Sequence, residues 1–110
     1  MTRLTAEFWV HAYLQRLKLL EIPGFVVNHG DDTAGAVVVK LNTLDGRATA
    51  LQRGFDLLSG ARQWDVLMEG DEPAVDEVIA RQRSFDPDLW VIEVEDRQGR
   101  HLLDEPGLAD

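Results

Sequence analysis

The chain contains no cysteine, only four prolines and three histidines, and fewer basic residues than acidic ones. The lack of cysteine excludes a disulfide scaffold, thiolate metal sites and cysteine catalysis. Eleven Lys plus Arg against 20 Asp plus Glu give a formal charge of -9 over 110 residues. Because nucleic acids and anionic membranes favour a basic surface, this balance predicts no nucleic-acid and no membrane partner.

Long apolar runs are missing as well. Polar and charged residues interrupt the apolar stretch near the amino terminus, which therefore matches neither a secretory signal nor a membrane span. We therefore expect a cytoplasmic protein. No glycine-rich phosphate loop and no nucleophile elbow is recognisable, and no cofactor is predicted. What is present, 45% hydrophobic and 28% charged residues, is typical of one globular domain.

Apolar spacing and turn residues predict a single α+β domain over residues 1–110. The first helix is capped by Thr5 and runs to about Ile22, and the second starts after Asp71 and ends by about Asp86. Short turns join alternating strands, so the predicted sheet is largely antiparallel, with its first four strands in a meander. The order is α-β-β-β-β-α-β-β, with two helices and five to six strands, and residues 104–110 form a frayed tail. The predicted strands cover residues 25–29, 36–43, 47–55, 64–69, 89–95 and 100–103.

The densest group of polar side chains lies where the second helix meets the next strand. Arg81 and Arg83 could hold a carboxylate or phosphate through paired hydrogen bonds, with Asp86 or Asp88 as base or ligand. The alternative is structural, because Asp-Pro-Asp is a good turn and the aspartates could neutralise the arginines. The structural alternative is favoured, although this junction is the first place to look for a site.

Lys40 and Asn42 are further candidates for a binding site. They are polar residues that alternate along an otherwise apolar strand, on a face that also carries Val38 and that we expect to be partly solvated. No metal site is predicted, because each histidine motif is explained at least as well by a surface contact or a turn. Those motifs are Glu7 with His11, His29 with Asp31 and Asp32, and His101 with Asp104 and Glu105.

Negative charge is concentrated in residues 64–80, which contain six acidic residues and no basic one. The favoured interpretation is a solvated face that keeps the protein soluble, and the alternative is a surface that docks a basic partner. The acidic residues are Asp65, Glu69, Asp71, Glu72, Asp76 and Glu77.

Several segments together resemble a small bacterial protein family known only as a domain of unknown function. The most specific is Arg81-Gln82-Arg83-Ser84-Phe85-Asp86-Pro87-Asp88-Leu89-Trp90-Val91, followed by Glu93, Glu95-Asp96, Gly99-Arg100 and a leucine–aspartate ending. The opening Arg3-Leu4-Thr5-Ala6-Glu7-Phe8-Trp9-Val10, Ala34-Gly35-Ala36 and Leu44-Asp45-Gly46 are similar to that family too. The resemblance implies a free-standing bacterial cytoplasmic protein and supplies no activity, cofactor or catalytic residue.

Two classes of function follow from these observations. The favoured one is a non-enzymatic binding or protein-interaction module, with a protein partner or self-association as a homodimer. Its support is a broadly apolar first helix, three tryptophans and the open sheet that the strands imply. The alternative is a small hydrolase or lyase that uses Asp, Arg and His, with or without a divalent metal.

Overall fold

The computed structural model describes residues 5–109, the side chain of Phe55 excepted. Within this range the chain forms two helices and one mixed, mostly antiparallel five-stranded sheet, which confirms the predicted α+β class. The predicted sixth strand over residues 100–103 is wrong, because Leu102 has a left-handed φ of 63° and the segment turns. The elements are α1 (Ala6–Leu19), β1 (Gly24–Asn28), β2 (Val37–Asn42), β3 (Arg47–Phe55), β4 (Arg62–Asp71), α2 (Glu72–Phe85) and β5 (Trp90–Glu95).

The two ends of α1 have clear local causes. The hydroxyl of Thr5 accepts a hydrogen bond from the amide of Phe8 (3.2 Å), as predicted for its cap. The helix ends before the predicted Ile22, because Glu21 adopts a left-handed φ of 59°. The amide of Ile22 then donates to the carbonyl of Leu17 (3.0 Å), and both side chains are buried. This turn brings the chain from α1 directly into β1.

The sheet has the strand order β1-β5-β2-β3-β4. Strands β2, β3 and β4 form an antiparallel meander as predicted, but β1 is not part of it. Instead, β5 lies between β1 and β2, antiparallel to the first and parallel to the second. The run of apolar residues at the start of β5 suits this central place, because a strand there is covered on both faces.

Each face of the sheet is covered by one helix. On the α1 face, α1 and the carboxyl-terminal segment bury one side of β2 and β5. On the α2 face, Val75 and Ile79 of α2 pack on Val38 and Val91. All six residues of β2 are consequently buried, so the expectation that the face with Lys40 is partly solvated is wrong.

The carboxyl-terminal segment packs against the α1 face instead of fraying. Leu108 is buried, and its carbonyl accepts a hydrogen bond from the indole of Trp64 (3.3 Å). The Tyr13 hydroxyl donates to the carbonyl of His101 (2.8 Å), and Arg16 pairs with Glu105. The predicted frayed tail is therefore wrong for residues 104–109, while residue 110 lies outside the described residues.

Neither α1 nor α2 has the length and hydropathy of a membrane-crossing helix, and the described residues contain no other helix that has them.

Candidate functional site

Lys40 lies in the middle of β2 with its side chain directed toward α2. The side chain is 7% exposed, and its Nζ lies 2.7 Å from Glu72 Oε2 and 2.7 Å from Asp76 Oδ1. Glu93 of β5 is a third neighbour, with its Oε1 3.5 Å from the same nitrogen. Three carboxylates from two elements therefore surround one ammonium group. We call these four residues the lysine cluster.

Asn42, the second polar residue of β2, joins the same network. Its amide nitrogen donates to Glu72 Oε2 (3.1 Å) and to Glu93 Oε2 (3.3 Å). Its carbonyl oxygen accepts from the amide of Leu44 (2.8 Å), at the start of the turn into β3. The side chain thus ties two of the carboxylates to the β2–β3 turn, and the sequence-predicted pair of Lys40 and Asn42 does converge.

The charge state of the cluster follows from two opposing effects. Burial by itself lowers the pKa of Lys40, but hydrogen bonds to Asp76 and Glu72 and the charge of Glu93 outweigh it and raise the pKa above its ordinary value. Lys40 is therefore protonated at neutral pH, and a protonated lysine has no lone pair for use as nucleophile or base. This arrangement suits a tie between α2 and the sheet better than a catalytic lysine.

Arg83 lies beside the lysine cluster and reaches across to β1. Its Nη2 donates to Asn28 Oδ1 (2.9 Å), and the Asn28 amide donates to the carbonyl of Leu89 (2.7 Å). A small cavity of about 180 Å³ separates Arg83 from Lys40. The cavity is also lined by Val27, Asp76, Ile79, Ala80, Val91 and Glu93.

The other candidates at the helix–strand junction do not join this group. Arg81 is exposed and lies 3.5 Å from Glu77, one helical turn away. Asp86 ends α2, and its Oδ1 accepts from the amide of Asp88 (3.1 Å). Among the described residues neither aspartate pairs with Arg81 or Arg83, so the expected mutual neutralisation is wrong. The turn interpretation of Asp-Pro-Asp accounts for these contacts.

Sequence reasoning missed the three carboxylates of the lysine cluster. Glu72 and Asp76 belong to the acidic stretch assigned to a solvated face, although their spacing of four residues places both on one side of α2. Glu93 is directly opposite Lys40 in the parallel β2–β5 pairing. Only the strand order reveals this contact, because the two residues are far apart in the chain.

His29 and His101 each form one contact within their own turn. His29 Nε2 lies 2.6 Å from Asp32 Oδ1, and its ring packs on Trp90 with centroids 4.1 Å apart. His101 Nδ1 accepts from the amide of Leu103 (3.0 Å). Within residues 5–109 no three His, Asp or Glu side chains are arranged to hold a metal ion.

The two outer strands of the sheet differ in their side chains. In β1, Phe25, Val26 and Val27 are 45%, 38% and 48% exposed, and the strand contains no charged residue. In β4, charged residues recur along the strand: Arg62, Asp65, Glu69 and Asp71. No described segment pairs with the outer side of either strand. Charges are a common protection of exposed sheet edges, and β1 lacks it.

A family model and solved structures of similar proteins identify the family of this chain. A family model described as "Protein of unknown function (DUF1491)" matches residues 4–104. The crystal structure of a DUF1491 family protein from Caulobacter crescentus CB15 superposes with a TM-score of 0.86, at 37% identity over 94% of this chain and 98% of that one. An NMR structure of a DUF1491 family protein from the same organism gives 0.82, at 36% identity over 96% and 97%.

A more distant match is the solution structure of a protein from A. tumefaciens. Its TM-score is 0.72, at 26% identity over 86% of both chains. Among curated proteins none matches this chain. The family model spans almost all of the sequence and confirms the resemblance drawn from the residues themselves, so the chain belongs to the DUF1491 family of proteins of unknown function.

Proposed function

We propose that the protein is a non-enzymatic interaction module that self-associates by pairing β1 with β1 of a second copy. The observation that carries this proposal is the uncharged, apolar edge of β1, with Phe25, Val26 and Val27 exposed in a row. An edge strand has unpaired amides and carbonyls along its outer side, and a second strand satisfies them.

A second copy is the occupant because β1 is complementary to itself. Antiparallel pairing about a two-fold axis at Val26 would place Val26 against Val26 of the partner subunit and bring Phe25 close to the partner's Val27, which lies at the irregularity of β1 between Val26 and Asn28. Apolar cross-strand pairs of this kind stabilise a sheet by about 0.2–1 kcal/mol each. The chain has a charge of -9, so two copies repel each other, and an uncharged edge is where they approach with the least local repulsion.

The test uses opposite charges at Val26. Sedimentation equilibrium is expected to give a dimer for the wild type and monomers for Val26→Lys and Val26→Glu separately, because like charges then face each other across the two-fold axis. An equimolar mixture of the two variants is expected to recover the dimer. Recovery separates lost pairing from lost folding, since a misfolded variant does not regain a partner.

The matched control is Val66→Lys on the opposite edge strand. Val66 is an exposed valine of β4, so the substitution adds the same charge to a sheet edge that the proposal does not use. This variant is expected to remain a dimer. A wild type that stays monomeric at every concentration, or a mixture of the Val26 variants that stays monomeric, would contradict the proposal.

No observation favours the alternative of a small hydrolase or lyase, which stays a prediction from the sequence. The location of the protein in the bacterial cytoplasm likewise stays a prediction.

A further inference from the structure

Two arginines share a cavity on the α1 face, at the end of the sheet away from the lysine cluster. Arg53 of β3 and Arg62 of β4 line a volume of about 320 Å³. Register explains why they meet, because Arg53 pairs with Trp64 and Arg62 precedes Trp64 by two residues on the same face. The remaining lining residues are Thr5, Ala6, Thr33, Ala34 and Gly35.

Two tryptophans hold the guanidinium of Arg53. It lies 5.2 Å from the ring centroid of Trp9 and 5.8 Å from that of Trp64. The rings are fixed in turn, since Trp9 stacks on Tyr13 with centroids 4.9 Å apart and Trp64 donates to the carbonyl of Leu108. Arg53 is therefore half-buried and positioned in advance, although aromatic faces do not neutralise its charge.

Neither arginine has an anionic partner within the described residues. No ion pair or hydrogen bond joins the Arg53 or Arg62 guanidinium to residues 5–109. Burial, together with the positive charge of Arg62, lowers the pKa of Arg53 to about 10, so Arg53 is still charged at neutral pH. A partly desolvated pair of like charges is unfavourable unless an anion accompanies it.

The nearby acidic side chains are engaged elsewhere. Asp31 accepts from the amides of Thr33 (3.1 Å) and Ala34 (2.9 Å), and Asp32 contacts His29. The first amides of α1 are also used, because Ala6 and Glu7 donate to carbonyls of the same loop. Among the described residues that line the cavity, the side-chain donors available to a ligand are thus the two guanidinium groups and the hydroxyls of Thr5 and Thr33.

We propose that this cavity binds the phosphate group of a small phosphomonoester or inorganic phosphate. Two guanidinium groups match the charge of a phosphate dianion, and each presents paired donors that fit its oxygens. The cavity volume is at the lower end of the range for small-molecule sites, which fits a compact ligand.

Inorganic phosphate is the first probe, with tryptophan fluorescence as the readout, because Arg53 lies between Trp9 and Trp64. Titration at constant ionic strength, held with chloride, is expected to give saturable binding to the wild type. Arg62→Gln is expected to weaken that binding at least tenfold. The control Arg47→Gln removes an exposed arginine of β3 that pairs with Asp71, and it is expected to bind as the wild type does.

A second probe distinguishes a free phosphate from a lipid headgroup. Phosphatidylcholine vesicles containing phosphatidic acid present a phosphomonoester at a surface, and co-sedimentation measures binding. Phosphate binding without vesicle binding supports the site with a soluble ligand, and Arg62-dependent binding to vesicles supports it with a lipid ligand. Binding to neither probe, or binding that Arg62→Gln leaves unchanged, would overturn the proposal.

Discussion

On the α2 face of the sheet one lysine is surrounded by three carboxylates, whereas on the α1 face two arginines have no acidic partner among the described residues. Lys40 lies on β2, and the two arginines lie on the neighbouring strands β3 and β4 of the same sheet. All three side chains are at least partly buried. The two groups differ in whether the fold supplies the opposite charge. Lys40 is satisfied by the chain itself, while no acidic side chain within residues 5–109 pairs with Arg53 or Arg62.

This contrast separates a structural role from a ligand-binding role. A buried charge whose partners come from the fold is costly to leave unpaired, and its charge is not free for a ligand. A positioned cation that no acidic group accompanies is available to a ligand, and the protein gains stability when an anion binds to it. The lysine cluster is the first case. The cavity lined by Arg53 and Arg62, the arginine cavity, is assigned to the second.

The largest expected effect is the loss of the Lys40 ammonium. Lys40→Met keeps the apolar stem but leaves Glu72, Asp76 and Glu93 without their cation. Because Glu72 and Asp76 are partly solvated, we expect about 2–4 kcal/mol lower free energy of unfolding, toward the lower part of the range for broken buried ion pairs. Urea denaturation at pH 7 measures it.

Lys18→Met is the matched control, since Lys18 and Lys40 are the only two lysines and Lys18 is exposed on α1. Its effect is expected to stay within about 0.5 kcal/mol. If both methionine variants were equally stable, the lysine cluster would not hold α2 to the sheet.

The elements that the sequence predicts well are those set by local pattern. The bounds of β3 agree with the predicted 47–55, and α2 begins after Asp71 and ends before Asp86 as expected. Lys40 and Asn42 stand out in the sequence because polar residues alternate with apolar ones along one strand, and both join one network.

What the sequence does not predict is contact between distant segments. The place of β5 between β1 and β2 depends on which strands pair, and the pattern within one strand does not identify its neighbours. Glu93 opposite Lys40 and Asn28 beside Arg83 both depend on that order. The arginine cavity was missed for the same reason, because it needs the β3–β4 register and the position of α1.

A smaller effect is expected from Arg53→Ala. The variant loses the contacts of the guanidinium with Trp9 and Trp64 but also removes repulsion with Arg62. The net loss is expected to be about 1–2 kcal/mol, also measured by urea denaturation. Arg81→Ala, which removes an exposed arginine of α2, is the comparison and is expected to change little. Equal values for the two would mean that the tryptophans do not bind Arg53.

Alkaline pH is expected to weaken the lysine cluster gradually. The folded-state pKa of Lys40 is raised. Its contribution to the free energy of unfolding is therefore complete below the ordinary pKa of 10.5 and is lost as the pH rises toward the folded-state pKa. At pH 11 the loss is about 1 kcal/mol. Burial also raises the pKa of Tyr13, the only tyrosine. Tyr13 therefore lowers the free energy of unfolding as the pH rises above 10, as Lys40 does.

Tyr13→Phe separates these two contributions. In that background, the difference in free energy of unfolding between the proteins with and without Lys40→Met isolates Lys40, because the lowered pKa of Arg53 acts with opposite sign in both. This difference is expected to shrink from pH 9 to pH 11, and a difference that stayed constant would mean that Lys40 does not contribute to the decline.

The smallest expected effect is that of Arg62→Gln on the free energy of unfolding, and its sign is expected to depend on phosphate. In phosphate-free buffer Arg62→Gln removes the positive charge beside Arg53, so it is expected to raise the free energy of unfolding by a few tenths of a kcal/mol. At saturating phosphate the order is expected to reverse, because only the wild type gains the full stabilisation of a bound ligand. Thermal unfolding with and without phosphate at equal ionic strength measures both. If Arg62→Gln were less stable in both buffers, Arg62 would serve the fold and the contrast between the two faces would fail.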